Sequence, residues 1–145
     1  MATGGSGVQN QLCFQLYAAS RAVSGAYRNG LAALGLTYPQ YLLLLALWAK
    51  DGQSVTDLCA DLDLDTGTVS PIVRRMVSRG LVEKFRDSRD ERCVSVHLTD
   101  AGWALEGPAM AVRQQVEEST GLSATQMSAL RDDLATLRKS VQGST

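Results

Sequence analysis

The chain has 145 residues, of which 45% are hydrophobic and 20% are charged. This length suits one domain of ordinary size and is short for an enzyme with a deep cleft of its own. The net charge of -1 argues against nucleic-acid binding through overall charge, so such binding requires a local basic patch. We expect a flexible N-terminus over residues 1–8 and a single domain over residues 9–145.

The first predicted element is a helix from about residue 9 to residue 34, where apolar side chains recur at helical spacing. Gly35 is placed to close it with a left-handed cap. The segment before it, Met1 to Gly7, has neither the charged nor the apolar part of a signal peptide, and the three cysteines are too few and too unevenly spaced for a disulfide framework. We therefore expect a cytoplasmic protein.

Thr37 and Gln40 have the spacing of a capping box and mark the start of the second predicted helix. This helix runs to about Lys50. Its apolar stretch, Tyr41 to Ala49, is too short to cross a bilayer, so we expect no membrane insertion. Because this stretch is apolar on nearly every side, the helix should lie at the centre of the fold.

Two short helices separated by a polar turn are predicted next, over residues 56–62 and 66–79. Two strands, over residues 81–85 and 94–98, then enclose a polar tip at residues 86–92. The helix pair followed by the hairpin has the order of a winged helix-turn-helix.

Two more helices complete the prediction, one capped by Thr99 and one opened by a capping box at Ser123. The last helix carries a single apolar stripe for which a small domain has little core left. We therefore expect a homodimer that forms through residues 9–34 and 100–145. The predicted fold class is mainly α with a small β-wing, in which about residues 54–99 form the winged helix-turn-helix.

The basic residues concentrate in the predicted reading region, since seven of the fourteen lie between residues 74 and 92. On the helix over residues 66–79, Val69, Ile72, Val73 and Met76 can face inward, which leaves small polar residues and then arginines toward solvent. A recognition helix has this order, because its N-terminal end enters the major groove while arginine contacts guanine or phosphate.

Two features of the predicted DNA-binding region allow alternative interpretations: the proline in the recognition helix and the mixed charge of the hairpin tip. Pro71 either loosens the first turns of the helix or, if the helix begins nearer Gly67, costs little. The hairpin tip is either a solvated surface held by ion pairs or a wing in which Asp90 braces Arg92 for a minor groove. The predicted DNA-binding residues are Thr66, Gly67, Thr68, Ser70, Pro71, Arg74, Arg75, Arg86, Asp90 and Arg92.

Three segments carry a family resemblance: Asp65 to Met76, Gly80 to Val82 and Arg86 to Thr99. They resemble the multiple-antibiotic-resistance regulator (MarR) family. The resemblance implies a dimeric winged-helix regulator, usually a repressor, that binds palindromic double-stranded operator DNA, and it implies neither an enzyme nor a cofactor.

Residues 12–21, 26–28 and 36–41 resemble one branch of that family, the organic hydroperoxide resistance regulators. The resemblance implies that Cys13 is the redox-sensing residue, that the hydroxyls of Tyr27 and Tyr38 hold it by hydrogen bonds, and that an organic hydroperoxide oxidises it. Oxidation is then expected to release the operator.

The spacing of Cys13 and Tyr27 constrains such a site. Fourteen residues apart, they share a face of a straight helix but lie about 21 Å apart along its axis. If the first helices of two subunits pack antiparallel, Cys13 of one chain can approach Tyr27 of the other. We also expect an apolar surround that includes Phe14, Leu16 and Leu43.

The fate of the oxidised sulfur depends on a second thiol. Two-cysteine members of this branch carry the resolving cysteine in the C-terminal helices, and this chain has no cysteine after Cys93. We therefore expect a small cellular thiol to cap Cys13, unless Cys59 or Cys93 lies close.

Three alternatives to this redox switch stay open. Cys13 can be an ordinary core cysteine. The dimer cleft can bind a phenolic or apolar ligand, with Cys13 as lining. The chain can be a thiol peroxidase, although it lacks a resolving-cysteine motif.

Overall fold

Residues 7–86, 89 and 93–144, the part of the chain that this computed structural model describes, contain seven α-helices and a small antiparallel sheet. The mainly helical fold with a small β-wing is therefore confirmed. The elements are a short 3-10 turn (Val8–Asn10), α1 (Leu12–Ala32), α2 (Tyr38–Ala49), β1 (Gln53–Ser54), α3 (Val55–Leu62), α4 (Thr66–Ser78), β2 (Val82–Arg86), β3 (Val94–Leu98), α5 (Asp100–Ala104), α6 (Glu106–Ser119) and α7 (Ala124–Gly143).

The chain divides into two compact units, one that ends at Arg113 and one that begins at Gln114, inside α6. The first unit contains the sheet and a core of buried apolar side chains. No helix among the described residues is long and apolar enough to span a membrane. The core side chains that are at most 1% exposed are Leu31, Leu43, Leu44, Leu47, Leu58, Val69, Val73, Met76, Val82, Val96 and Ala109.

The end of α1 follows the prediction at Gly35, which has a φ of +69°. The Leu36 amide donates to the Leu31 carbonyl at 3.1 Å, and the Gly35 amide donates to the Ala32 carbonyl at 3.0 Å. This pair of bonds is the Schellman motif, and Leu31 and Leu36 are both buried beside it. The helix itself is shorter than predicted, because a 3-10 turn precedes it.

The start of α2 also follows the prediction. The Thr37 hydroxyl accepts from the Gln40 amide at 3.3 Å, and the Gln40 side chain accepts from the Thr37 amide at 3.2 Å. A strand that the sequence did not predict, β1, follows α2. The Gln53 side chain ties it there by donating to the carbonyls of Ala46 and Lys50 at the C-terminal end of α2, where the Ala46 carbonyl also accepts from the Lys50 amide.

The helix-turn-helix and the hairpin lie where the sequence predicted them. Asp63, with a φ of +53°, ends α3, and Asp65 caps α4. The strands pair antiparallel in the order β1-β3-β2, with Val82 opposite Leu98 and Arg86 opposite Val94.

The helix predicted after Thr99 is broken into two. Thr99 caps α5 as expected by accepting from the Gly102 amide at 3.2 Å, but α5 ends at Ala104 and α6 begins at Glu106. The physical reason is Pro108, which has no amide to donate to the Ala104 carbonyl and whose ring would clash with that carbonyl in a continuous helix.

The second unit contains the end of α6 and all of α7. The predicted capping box at Ser123 and Gln126 is present, with bonds of 2.9 and 3.2 Å. None of the residues of α7, all of which the structure describes, is buried. Its stripe includes Leu130, Leu134 and Val141, which are 47%, 39% and 59% exposed.

Candidate functional site

Helix α4 begins with a side-chain N-cap, Asp65. The Asp65 carboxylate accepts from the Thr68 amide at 2.8 Å. Hydrogen bonds from the Thr68 side chain, and then from its backbone, hold the pKa of Asp65 below its ordinary value. The ionised carboxylate also interacts favourably with the positive end of the helix dipole. The N-terminal turn of α4 is therefore held in a defined position at the protein surface.

The faces of α4 agree with the predicted division. Val69, Val73 and Met76 are buried, as expected, whereas Ile72 is only half-buried. Of the predicted DNA-binding residues, Ser70 and Pro71 are half-buried. The exposed ones on this helix are Thr66, Gly67, Thr68, Arg74 and Arg75. The helix thus presents a polar end followed by two arginines.

Pro71 lies inside α4, because the helix begins at Thr66. The reading in which Pro71 falls near the first turn is therefore wrong. Proline removes the amide that would donate to the carbonyl of Gly67, the residue four places earlier. Gly67 lies in the N-terminal turn of α4, which the sequence predicts to enter the major groove of DNA.

Of the DNA-binding residues predicted in the hairpin, Arg86 lies in the described part of the chain. Arg86 is exposed at the end of β2. The strands are braced on one face by Phe85 and His97, whose rings meet edge to face at 5.1 Å, and the His97 side chain also contacts the Ser95 hydroxyl at 3.1 Å. Asp90 and Arg92 lie outside the described residues, so their predicted roles stay predictions.

Cys13 is exposed near the start of α1 and is a free thiol. One continuous helix, α1, contains both Cys13 and Tyr27. The sequence-based separation of about 21 Å therefore applies, and the two side chains of one chain cannot meet. Tyr38, the first residue of α2, lies at Tyr27 and not at Cys13.

Three tyrosines form a cluster where α1 meets α2. The ring centroid of Tyr27 lies 5.3 Å from that of Tyr38 and 5.2 Å from that of Tyr41. Burial, and secondarily the neighbouring Tyr27 phenol, raise the pKa of Tyr38. The Tyr38 hydroxyl consequently keeps its proton, and its capacity to donate a hydrogen bond, beyond the usual range of a phenol.

The tyrosine cluster lines a cavity of about 470 Å³. Glu106, Met110 and Arg113 of α6 contribute to its wall. Neither these α6 residues nor the α2 residues that line the cavity were predicted from the sequence. The α2 residues recur at helical spacing on one face of α2, a pattern that could have indicated them. Those α2 residues are Tyr41, Leu42, Leu45, Trp48 and Ala49.

The expected apolar surround is corrected at one position. Leu43 is 0% exposed and belongs to the core, on the face of α2 opposite to the cavity. Phe14 and Leu16 are half-buried on α1. The cavity wall is further fixed by Trp48, whose indole N–H donates to the Gly102 carbonyl at 3.0 Å.

Neither of the other two cysteines forms a disulfide within the described part of the chain. Cys59 is half-buried in α3, and its Sγ lies 3.8 Å from the hydroxyl of Thr66. Cys93 is exposed just before β3. Thus Cys59 lies at the junction of α3 and α4 as a small, half-buried side chain.

Comparison with known proteins agrees with this geometry. Residues 36–94 match the family model described as "MarR family". The HTH-type transcriptional regulator TtmR of Methylorubrum extorquens is 44% identical over 131 residues, which cover 90% of this chain and 67% of that protein. The organic hydroperoxide resistance transcriptional regulator of Bacillus subtilis is 38% identical over 130 residues, which cover 90% and 88%.

Among solved structures, that of reduced AbfR bound to DNA superposes with a TM-score of 0.78 at 30% sequence identity, and the match covers 94% of this chain and 93% of that one. The helix-turn-helix, the hairpin and the exposed face of α4 define a winged-helix DNA-binding protein. The chain belongs to the MarR family of transcriptional regulators.

Proposed function

We propose that this regulator is a repressor that binds operator DNA while Cys13 is reduced and releases it when an organic hydroperoxide oxidises Cys13. It acts in the cytoplasm, where the operator is. The similarity to a regulator named for organic hydroperoxide resistance supports the oxidant class.

One observation carries this proposal: the paired tyrosines and the cysteine occupy different regions of one chain. Tyr27 and Tyr38 face each other at 5.3 Å beside a cavity, whereas Cys13 is exposed toward the other end of α1. A second chain with its α1 antiparallel to the first brings its Cys13 to this pair. The sensor is then an intersubunit site that exists only in the dimer.

The exposed apolar residues support dimerisation at the same helices. On α1, Leu12, Tyr17 and Val23 are 65%, 64% and 40% exposed, and α7 has its own exposed stripe. Apolar surface of this extent on two helices favours burial against a second copy. A dimer also supplies two reading heads for half-sites about one DNA turn apart.

The chemistry follows from the groups assembled there. The Cys13 thiolate attacks the O–O bond of the hydroperoxide, gains one oxygen as a sulfenic acid and releases the corresponding alcohol. A small cellular thiol then displaces water from the sulfenic acid and leaves a mixed disulfide. Hydroxyl donors from Tyr27 and Tyr38 stabilise the attacking thiolate, and the largely apolar cavity accommodates the organic part of the peroxide.

Loss of the thiolate removes the hydrogen bonds that join the two subunits at each site. Both heads must fit their half-sites at once, so a small change of angle between them weakens operator binding. The DNA contacts themselves come from the exposed face of α4, at Thr66 to Thr68, Arg74 and Arg75, and from Arg86 in the wing.

Complementation between subunits tests the proposed site. One chain carries Cys13→Ser with intact tyrosines, and the other keeps Cys13 but carries Tyr27→Phe and Tyr38→Phe. In the mixed dimer the remaining Cys13 faces intact tyrosines, so it should react with cumene hydroperoxide at the wild-type rate. A rate equal to that of the double Phe homodimer would contradict an intersubunit site.

The cavity also favours a second candidate function. Its aromatic wall, with Glu106 and Arg113 at its edge, suits a phenolic or apolar ligand that displaces the operator without touching Cys13. Cys13→Ser separates the two functions. A ligand-responsive regulator stays inducible after this change, whereas a peroxide sensor stays on its operator.

A further inference from the structure

Arg79, the residue that closes the reading helix α4, joins this helix to the loop between α1 and α2. Its guanidinium Nη1 donates to the Gly35 carbonyl and to the Gln40 side-chain oxygen, the latter at 3.5 Å. Arg79 is exposed, as are Arg74 and Arg75, but its guanidinium is bonded to the loop and to the start of α2.

The loop is shaped to receive this guanidinium. A Cβ at Gly35 would lie 2.8 Å from Arg79 Nη2, and the φ of +69° also favours glycine at this position. The Gln40 side-chain oxygen is 3.2 Å from the Thr37 amide, so one oxygen serves the α2 capping box and Arg79 together. Gln40 is only 7% exposed, which fixes the position of that oxygen.

The same turn of α2 carries the tyrosine of the proposed sensor. Tyr38 is the first residue of α2, and Gln40 lies two residues later in the same turn. A displacement of Tyr38 therefore displaces the group that Arg79 holds. Arg79 directly follows α4. The displacement therefore reaches the reading helix through the Gly35 carbonyl and the Gln40 side-chain oxygen, which both accept from the Arg79 side chain.

We propose that Arg79 is the positioning residue through which the Tyr27–Tyr38 pair controls the orientation of α4. This inference rests on the proposed redox function and names how it reaches the DNA. In the reduced state the guanidinium holds α4 in the position fixed by the α2 cap. Oxidation of Cys13 releases Tyr38, the first turn of α2 shifts, and α4 follows. An effector changes DNA affinity only through contacts that differ between two states, and Arg79 provides such a contact.

The test compares operator dissociation constants of reduced protein and of protein treated with cumene hydroperoxide and cysteine. Wild type should show a ratio of about ten-fold or more between the oxidised and reduced constants. Arg79→Ala should keep its rate of Cys13 oxidation, while its ratio falls below about three-fold. Arg75→Ala, the matched exposed arginine of the same helix, should lose affinity in both states and keep the wild-type ratio.

The alternative role of Arg79 is a phosphate contact, which gives a different pattern. Arg79→Ala would then bind more weakly in both states, with a salt slope smaller by about one and an unchanged ratio, and this would overturn the inference. A wild-type ratio near one overturns the redox function, and this inference with it. A large wild-type ratio that Arg79→Ala retains overturns the inference alone.

A second variant keeps the test independent of the stability of Arg79→Ala, and a thermodynamic readout adds a measurement that does not use operator dissociation constants. Gln40→Glu preserves the capping box and adds a carboxylate beside the guanidinium, so its ratio should rise at least about two-fold, and an unchanged ratio counts against the proposal. Cys13 and cystine exchange to give the Cys13–cysteine mixed disulfide and free cysteine. By linkage, saturating operator should shift the equilibrium constant of this exchange by the same factor as the ratio of the operator dissociation constants. In Arg79→Ala this shift should disappear, and a shift of wild-type size would overturn the proposal.

Discussion

The rings of Tyr27 and Tyr38 lie 5.3 Å apart although they belong to different helices, α1 and α2. The Schellman motif at Gly35 and the capping box at Thr37 and Gln40 set the reversal between these helices. Two phenols are therefore brought together by backbone geometry that is independent of any partner. In the proposed dimer, this arrangement presents both phenols to the Cys13 thiol of the second chain.

The tyrosine hydroxyls should accelerate Cys13. Tyr27→Phe and Tyr38→Phe each remove one donor to the thiolate, and one charge-assisted hydrogen bond corresponds to about ten-fold in rate. We expect each variant to react with cumene hydroperoxide about ten-fold more slowly, as followed by loss of free thiol. Wild-type rates in both Phe variants would remove the tyrosines from the site.

Stability should decrease in alkaline solution through Tyr38. Burial raises its pKa in the folded state, so above the ordinary tyrosine pKa of about 10 the unfolded chain loses its proton first. The folded state then binds more protons than the unfolded state, and the free energy of unfolding falls as pH rises. Urea unfolding between pH 8 and about pH 11 should show a smaller decrease in Tyr38→Phe. An equal decrease in the variant would assign the effect to other groups.

The sequence predicted the elements whose signals are local. Thr37 with Gln40, Ser123 with Gln126 and Gly35 each set a helix end through bonds within a few residues, and each is found where the pattern placed it. Strand β1 is too short to show periodicity and exists because Gln53 pairs with Val96 across the chain. The break after Ala104 was not predicted, because the start signal at Thr99 is local whereas Pro108 disrupts the helix four residues before its own position.

The candidate site was predictable only in part for the same reason. Cys13, Tyr27 and Tyr38 came from a family resemblance, and the structure brings only the tyrosines together within one chain. The cavity depends on the packing of α2 against α6, which no local pattern encodes. The bond from Arg79 to Gly35 spans 44 positions in the chain and could not be predicted from spacing.

The cap of α4 should be important for both stability and DNA binding. Asp65→Ala removes the acceptor of the Thr68 amide, so the thermal midpoint should fall and reduced operator affinity should decrease several-fold. Because the folded pKa of Asp65 is lowered, its contribution is present above the unfolded value and is lost as pH falls through the folded value.

Asp65→Asn is the matched variant, since asparagine can cap without a charge. Its thermal midpoint at neutral pH should exceed that of Asp65→Ala, and its decrease between pH 5 and about pH 2 should be smaller than in wild type. A wild-type acid decrease in Asp65→Asn would contradict a role for the ionised cap.

Two glycines in neighbouring helices should respond oppositely to alanine. A Cβ at Gly102 would lie 2.2 Å from the Leu81 carbonyl oxygen, a backbone atom that links α4 to the hairpin. We expect Gly102→Ala to lower the free energy of unfolding by about 3 kcal/mol or more. A Cβ at Gly107 meets nothing within 4 Å, so Gly107→Ala should be neutral or stabilising by up to about 1 kcal/mol. Urea unfolding of both variants checks the contrast, and equal effects would refute it.

The proposed switch requires that the redox state of Cys13 determines operator binding. It is tested by an electrophoretic shift of the operator by wild type and by Cys13→Ser, each with and without cumene hydroperoxide and cysteine. Only the treated wild type should release the DNA, and a reductant should restore its binding. Release of Cys13→Ser, or continued binding by oxidised wild type, would contradict the proposed switch.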